Sequence, residues 1–247
     1  MQIKLTPNEI ERYDRQIKLF GVEGQLKLKK AKVLVAGLGG LGCPIALYLA
    51  AAGVGKILLV DKERVELSNL NRQILHWTKN IGEFKVKSAA EKLRELNPEV
   101  DIEEVNLEIN EDNIHDLVSR VDLVVDGMDN WRTRFIINKA CVVQSKPFVH
   151  AGVYGMYGQL LVVIPHKGPC LQCVIPKPPP EKHPFPILGT TAGMLALMQA
   201  TEAIKIITGY GEVAVGRLIV YDGYNMSFSE VKVSRRENCP VCGSLSK

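Results

Sequence analysis

The chain has 247 residues, 46% of them hydrophobic, and a formal net charge of +4. That is enough apolar material for one large core, and no apolar run approaches the roughly 20 residues of a membrane-spanning helix. Basic and acidic residues are interspersed, so the charge balance does not point to nucleic acid or a membrane, and a cytoplasmic protein with no leader segment is expected.

Thr6, Pro7 and Glu9 combine a threonine N-cap, a proline at the first helical position and a glutamate three residues after the cap, which predicts a helix start. It opens a helical arm over residues 1–30 that carries "RYDRQIKLF". "KVLVAG" then reads as a strand, "PIALYLAAAG" as a helix stopped by Gly53, and "KILLVD" as a second buried strand. After a polar loop over 62–81, "GEFKVKSAAEKLRELNP" predicts an amphipathic helix, followed by the alternating strand "VDIEEVNL" and a short helix capped by Asn110. "VDLVVDG", "NWRTRFIINKACVVQ" and "PFVHAGV" continue as strand, helix and strand.

This alternation predicts an α/β fold, a Rossmann-like doubly wound, mostly parallel sheet, with residues 31–153 as its nucleotide-binding half. From 154 to 247 the pattern becomes a strand-rich extension ("GQLLVVIP", "RLIVYD", "FSEVKV") around one long helix, "AGMLALMQATEAIKIIT". "PKPPPEKHPFP" has too few N–H groups for helix or inner strand and is expected to cross the surface. We expect the two halves and the arm to form a single domain.

Gly37, Gly39 and Gly42 fit G-x-G-x-x-G between a strand and a helix, and Asp61 ends the next strand. This is the dinucleotide-binding fingerprint in its proper context. Gly37 allows the tight turn, Gly39 and Gly40 let phosphates approach the backbone, and Asp61 is placed to take ribose hydroxyls. NAD and ATP both offer these groups, so the other loops must decide between them.

"SNLNRQ" puts Ser68, Asn69, Arg72 and Gln73 at the carboxyl edge of the sheet, Lys85 opens the next helix, and "DGMDN" brings Asp129 and Asn130 to the same edge. Two cations and a carboxylate beside a phosphate-binding loop equip a site for phosphoryl chemistry, the carboxylate holding Mg²⁺. Hydride transfer would need little of this.

Cys170 with Cys173 and Cys239 with Cys242 form two C-x-x-C pairs, which together predict a closed four-cysteine zinc knuckle. Cys43 and Cys141 read as core thiols. His76, His150 and His183 are expected to play plain polar or packing roles.

The stretches "RYDRQIKLFG", "GLGGLGCPIA", "LSNLNRQ", "DGMDN", "CLQC", "GTTAGMLALMQATEAIK" and "CPVC" together resemble the ubiquitin-activating-enzyme superfamily. The similarity runs from about residue 8 to 243 and is greatest to its small homodimeric members, which adenylate the sulfur carriers of molybdopterin and thiamine synthesis. The resemblance implies ATP, Mg²⁺ and structural Zn²⁺. It also implies a ubiquitin-like sulfur-carrier protein as partner, whose C-terminal Gly-Gly carboxylate attacks the α-phosphate, and no nucleic-acid or membrane partner.

By the same resemblance Gly40 contacts the nucleotide, Asp61 the ribose, and Asn69, Arg72 and Gln73 the phosphates. Lys85 is a mobile positive charge on the nucleotide, Asp129 coordinates Mg²⁺ with Asn130 beside it, and Arg15 reaches into the neighbouring subunit's site. Arg12 and Gln16 fix the arm. Relatives that pass the carbonyl to a thiol keep a cysteine in the crossover segment, and residues 174–238 here contain none. Two alternatives in the superfamily are a tRNA threonylcarbamoyladenosine dehydratase and a non-catalytic half of a heterodimeric activating enzyme. The second is expected to lack the Arg, Lys and Asp set.

Overall fold

The structure is a computed structural model and describes residues 4–180 and 184–243; His183 lies outside the described residues. The predicted capping box is formed. Thr6 Oγ1 accepts from the Glu9 backbone and Glu9 Oε2 accepts from the Thr6 backbone at 2.7 Å, opening α1 (Pro7–Arg12). Helix α2 (Asp14–Lys30) follows, kinked at Gly21, whose φ of 73° breaks the helical ladder. Gln16 donates to the Ala52 carbonyl at 2.7 Å and Arg12 to the Leu96 carbonyl at 3.0 Å, so these two side chains fasten the arm to the body.

Five strands lie parallel in the order β3 (Asp101–Val105), β2 (Lys56–Val60), β1 (Lys32–Ala36), β4 (Leu123–Asp126), β5 (Phe148–Tyr154). The same sheet continues antiparallel through β6 (Tyr157–Val163), β7 (Arg217–Asp222) and β8 (Ser227–Lys232). The change of connectivity expected after residue 153 is this reversal. A tight turn at Gly155 (φ 59°) replaces the crossover helices that parallel strands require.

Successive strand residues alternate between two buried faces. Val33, Val35, Ile57, Leu59 and Val125 pack against α3 (Gly42–Ala52), α4 (Lys85–Leu96) and α8 (Gly189–Thr208). Leu34, Leu58 and Val124 face α5 (Ile114–Ser119), α6 (Trp131–Val143) and α7 (Leu171–Val174). Both faces are covered, which is why the strands read as unbroken apolar runs. No helix among the described residues is long and apolar enough to cross a membrane.

Helix α4 begins at Lys85, as expected, after Gly82 turns the chain at φ 87°. Two other helix starts differ from the sequence reading. Helix α5 begins after Asn113, while the Asn110 side chain accepts from the Asp112 and Asn113 backbones as a turn. Helix α8 starts three residues early, at Gly189, packed against the Asn71 carbonyl and Arg72.

The sheet order reverses between β1 and β4, and open α/β sheets leave a crevice at that switch point. Here the loops after β1 and β4 touch. A Cβ on Gly42 would sit 1.8 Å from the Gly37 carbonyl oxygen, and one on Gly127 would sit 2.6 Å from it. These glycines let two loops and a helix start share space that any side chain would fill.

Candidate active site

A cleft of about 760 Å³ opens where β1, β2 and β4 end. It is lined by Gly37, Gly39, Gly40, Asp61, Ser68, Asn69, Arg72, Gln73, Lys85, Asp129 and Asn130. These positions span nearly a hundred residues of sequence and converge because each follows the carboxyl end of a parallel strand. Two of the expected residues do not line it. Gly42 lies behind the loop, where its missing side chain permits the Gly37 turn. Arg15 lies on α2, outside the cleft lining, with its side chain 93% exposed.

Asp61 is tied to the glycine loop. Its Oδ2 accepts from the Leu38 backbone at 2.7 Å and its Oδ1 from the Glu63 backbone at 2.8 Å. Burial pushes its pKa up, against the pull of the nearby Lys85 charge. From behind, His76 Nε2 lies 3.1 Å from the Leu38 carbonyl, so the peptide at the loop's tip is gripped on both sides. Burial takes the His76 pKa down to about 4 and that of Cys43 beside it up to about 12, which makes both structural groups at neutral pH.

In the 62–81 loop, Asn69 Oδ1 accepts from the Glu66 backbone at 3.0 Å and Ser68 Oγ donates to Glu66 at 3.3 Å. The turn these bonds shape aims Arg72, whose Nη1 donates to the Ser68 carbonyl at 2.9 Å. Gln73 is 4% exposed, and its Oε1 is buried without a hydrogen-bond partner among the described residues. A buried orphan oxygen is costly, and here it lines a cleft whose ligand can supply the donor.

Lys85 is buried, and its Nζ rests on Glu63 Oε2 at 2.6 Å. It is therefore held rather than loose. Asp129 is exposed and has no ion-pair partner among the described residues; its one hydrogen bond is from Asn130 Nδ2 at 3.4 Å. Asn130 has a second task, capping α6 through a bond from the Thr133 backbone at 2.9 Å. One free carboxylate facing a phosphate-sized cleft suits Mg²⁺, which binds one or two protein carboxylates and fills its shell with phosphate and water.

Cys170, Cys173, Cys239 and Cys242 bring their sulfurs within 4.8 Å of one another, and all four are buried. Neighbouring sulfurs are 3.9, 3.6 and 3.3 Å apart. Tetrahedral zinc at about 2.3 Å from each thiolate puts the sulfurs about 3.8 Å apart, so the donor set fits that ion. The Arg236 backbone N–H donates to Cys173 Sγ at 3.4 Å. Cys43 and Cys141 are wholly buried, so none of the six thiols stands exposed at the cleft.

A sequence profile described as the ThiF family matches residues 13–241. The chain belongs to the ThiF family. It is 44% identical over 255 residues to the adenylyltransferase and sulfurtransferase MOCS3 of Culex quinquefasciatus, covering 99% of this chain and 58% of that protein. MOCS3 of Anopheles gambiae is also 44% identical, over 97% of this chain and 56% of its own length. The chain thus spans somewhat more than half the length of these relatives. Among solved structures, Escherichia coli MccB with ATP superposes with a TM-score of 0.83 at 26% identity, covering 94% of this chain and 74% of that one. The microcin C7 biosynthetic enzyme MccB with N-formylated MccA gives 0.84 at 26%, over 96% and 76%.

One group in this ThiF-family site escapes the sequence reading. Asp126 is fully buried at the end of β4. His150 Nδ1 donates to its Oδ2 at 2.6 Å, and Arg134 Nε lies 3.3 Å from the same oxygen. Burial lowers the His150 pKa, against the pull of the Asp126 carboxylate. Arg134 also donates to the Met128 carbonyl at 2.5 Å, and Asp126 Oδ1 accepts from the Met128 backbone at 2.9 Å. The pair therefore shapes the loop that presents Asp129. The signal in the sequence was a carboxylate closing an apolar strand and an arginine on the apolar side of "WRTRF". A second cavity of about 330 Å³ adjoins the first, walled by Trp131, Tyr154, Tyr157, Gln159, Pro180 and Phe185.

Proposed function

We propose that this chain is an ATP-dependent adenylyltransferase that activates the C-terminal Gly-Gly carboxylate of a ubiquitin-like sulfur-carrier protein. The observation that carries the reading is the gathering of Arg72, Lys85 and Asp129 around the glycine loop in one cleft. The adenylyltransferase relatives and the ATP-bound neighbour support it. The presence of this whole set counts against a non-catalytic half.

A carboxylate oxygen of the carrier attacks the α-phosphorus, the bond to the β-phosphate oxygen breaks, and acyl-adenylate and pyrophosphate result. Two anions must meet, so the barrier falls when fixed cations already face the site. Arg72 is held by the Ser68 carbonyl toward the phosphates, and Lys85 moves from Glu63 onto the nucleotide. Asp61 meets the ribose with the lone pairs its backbone bonds leave free, and Gln73 Oε1 gains a partner. Asp129 would hold Mg²⁺, which would supply charge neutralisation at the phosphates. The second cavity admits the carrier's extended tail, and the zinc site braces the carrier-binding half.

The test is pyrophosphate exchange into ATP. It should require a carrier ending in Gly-Gly and vanish when those two residues are removed. Exchange without any carrier would overturn the substrate class, and ATP hydrolysis stimulated by tRNA would favour the dehydratase reading.

Arg15 is assigned to the site of a second copy in a homodimer, since it is exposed and does not line its own cleft. Mixing Arg15→Ala with Asp129→Ala protein should then restore part of the activity, because one composite site per mixed dimer is intact. No recovery despite demonstrated subunit exchange would remove Arg15 from the chemistry.

A further inference from the structure

The peptide joining Leu38 to Gly39, at the tip of the glycine loop, lies between two environments. Its N–H belongs to Gly39, which lines the cleft and whose amide has no backbone partner among the described residues. Its carbonyl belongs to Leu38 and meets His76 Nε2 at 3.1 Å. Leu38 and Ser88 are wholly buried and His76 is nearly so.

The protons behind the loop follow from the partners. A carbonyl only accepts, so His76 Nε2 carries the proton, and the ring, kept neutral by burial, accepts at Nδ1. The donor there is the Ser88 hydroxyl, 3.0 Å away and nearer than its other acceptor, the Leu75 carbonyl at 3.4 Å. Ser88 Oγ in turn accepts from the Lys92 ammonium at 3.1 Å. Two further bonds of 2.8 Å, to the Ser88 carbonyl and Asn80 Oδ1, fix Lys92.

Every donor in this row points the same way, from Lys92 through Ser88 and His76 to the Leu38 carbonyl. On the other side of the tip, the Leu38 N–H donates to the Asp61 carboxylate at 2.7 Å. A cation heads the row and an anion closes it, so successive bonds polarise one another in a buried setting. Cys43 Sγ also approaches the Leu38 carbonyl, at 3.2 Å, but a thiol is a weak donor and cannot replace the ring.

Resting on the ATP-dependent reading above, we propose that His76 is a positioning residue for nucleotide binding. It fixes and polarises the peptide between Leu38 and Gly39 so that the Gly39 N–H is presented to a phosphate, while Ser88 and Lys92 hold the ring in the one tautomer that serves. His76 acts through that peptide, since it is not among the residues that line the cleft.

The experiment compares the binding of MgATP with that of adenosine, which has no phosphate, in the absence of any carrier. His76→Leu keeps most of the bulk and removes the donor. It should weaken MgATP by about tenfold, one hydrogen bond's worth, and leave adenosine within about twofold. In exchange assays the KM for ATP should rise by the same factor while the rate at saturating ATP stays within about twofold, the pattern of lost ground-state binding. His76→Gln should recover much of the loss, because its amide supplies a donor to the same carbonyl.

An apolar side chain at position 76 leaves the Leu38 carbonyl short of a donor and is the harsher change. Ser88→Ala is therefore the second variant, since alanine suits a helix and only the grip on the ring is lost. It should weaken MgATP by about threefold and again spare adenosine. Unchanged MgATP affinity in both His76→Leu and Ser88→Ala, or adenosine weakened as much as MgATP, overturns the assignment of His76, while carrier-dependent exchange by the wild-type protein keeps the functional reading intact. A wild-type protein that binds no MgATP overturns the functional reading and this proposal with it.

Discussion

Asp129→Ala should reduce carrier-dependent pyrophosphate exchange to background, a loss of about 10³-fold or more, while leaving the melting temperature unchanged. Both halves of the expectation come from the same fact. Asp129 is exposed, unpaired by any cation among the described residues and bonded only weakly to Asn130 at 3.4 Å, so the fold gains almost nothing from it. Exposed positions of this kind change stability by less than about 0.5 kcal/mol when truncated. On the proposed reading Mg²⁺ would lose the carboxylate that has no ion-pair partner among the described residues, whereas Glu63 and Glu108, which also line the cleft, are paired with Lys85 and Lys62.

The adjacent residue supplies the control. Asn130→Ala removes the α6 cap and should cost about 1 kcal/mol of stability, with a much smaller effect on exchange. Exchange measured against Mg²⁺ concentration, with a thermal melt of each variant, separates the two. Retention of more than a tenth of the activity by Asp129→Ala would mean that the metal is held elsewhere.

Removing zinc should have the second largest effect, and it should act on folding rather than on chemistry. One zinc per chain is expected by metal analysis. Cys170 and Cys173 sit at the short helix α7 and Cys239 and Cys242 near the end of the chain, so the four sulfurs join segments that are 69 residues apart. A closed thiolate site supplies folding free energy directly, and losing it should remove several kcal/mol of a total that is about 5–15 kcal/mol for a domain of ordinary stability.

Cys173→Ser, or a strong chelator, should therefore lower the melting temperature sharply, while the fraction still folded keeps its exchange activity per molecule. Tyr157 and Gln159 of β6 wall the second cavity, and no cysteine is among its described lining residues. Immediate loss of exchange on chelation, with circular dichroism unchanged, would place a metal in the reaction and overturn the structural role.

The sequence by itself determined the fold class, the glycine loop and the paired cysteines, since each depends on local rules. Apolar runs punctuated by glycine name buried parallel strands, and C-x-x-C presents two thiolates at a spacing only a metal or redox role explains. The capping box at Thr6 was legible for the same reason, being complete within four residues. The α5 start was not, because Asn110 and Asn113 are equally good caps and only the packing of Ile114 and Leu117 on the sheet selects between them.

What tertiary structure decided is which polar groups are already engaged. Lys85, which the resemblance makes a mobile charge on the nucleotide, is buried on Glu63, 22 residues away, and Asn130, expected beside the Mg²⁺ ligand, also caps a helix. The Asp126, His150 and Arg134 group could not be seen in the chain. Its members lie on β4, β5 and α6, and burial, the property that makes them interact strongly, exists only once the strands have paired. Local sequence carries backbone preference, whereas the partner of a charge depends on contacts between distant segments, and the chemistry of this cleft lies in those contacts.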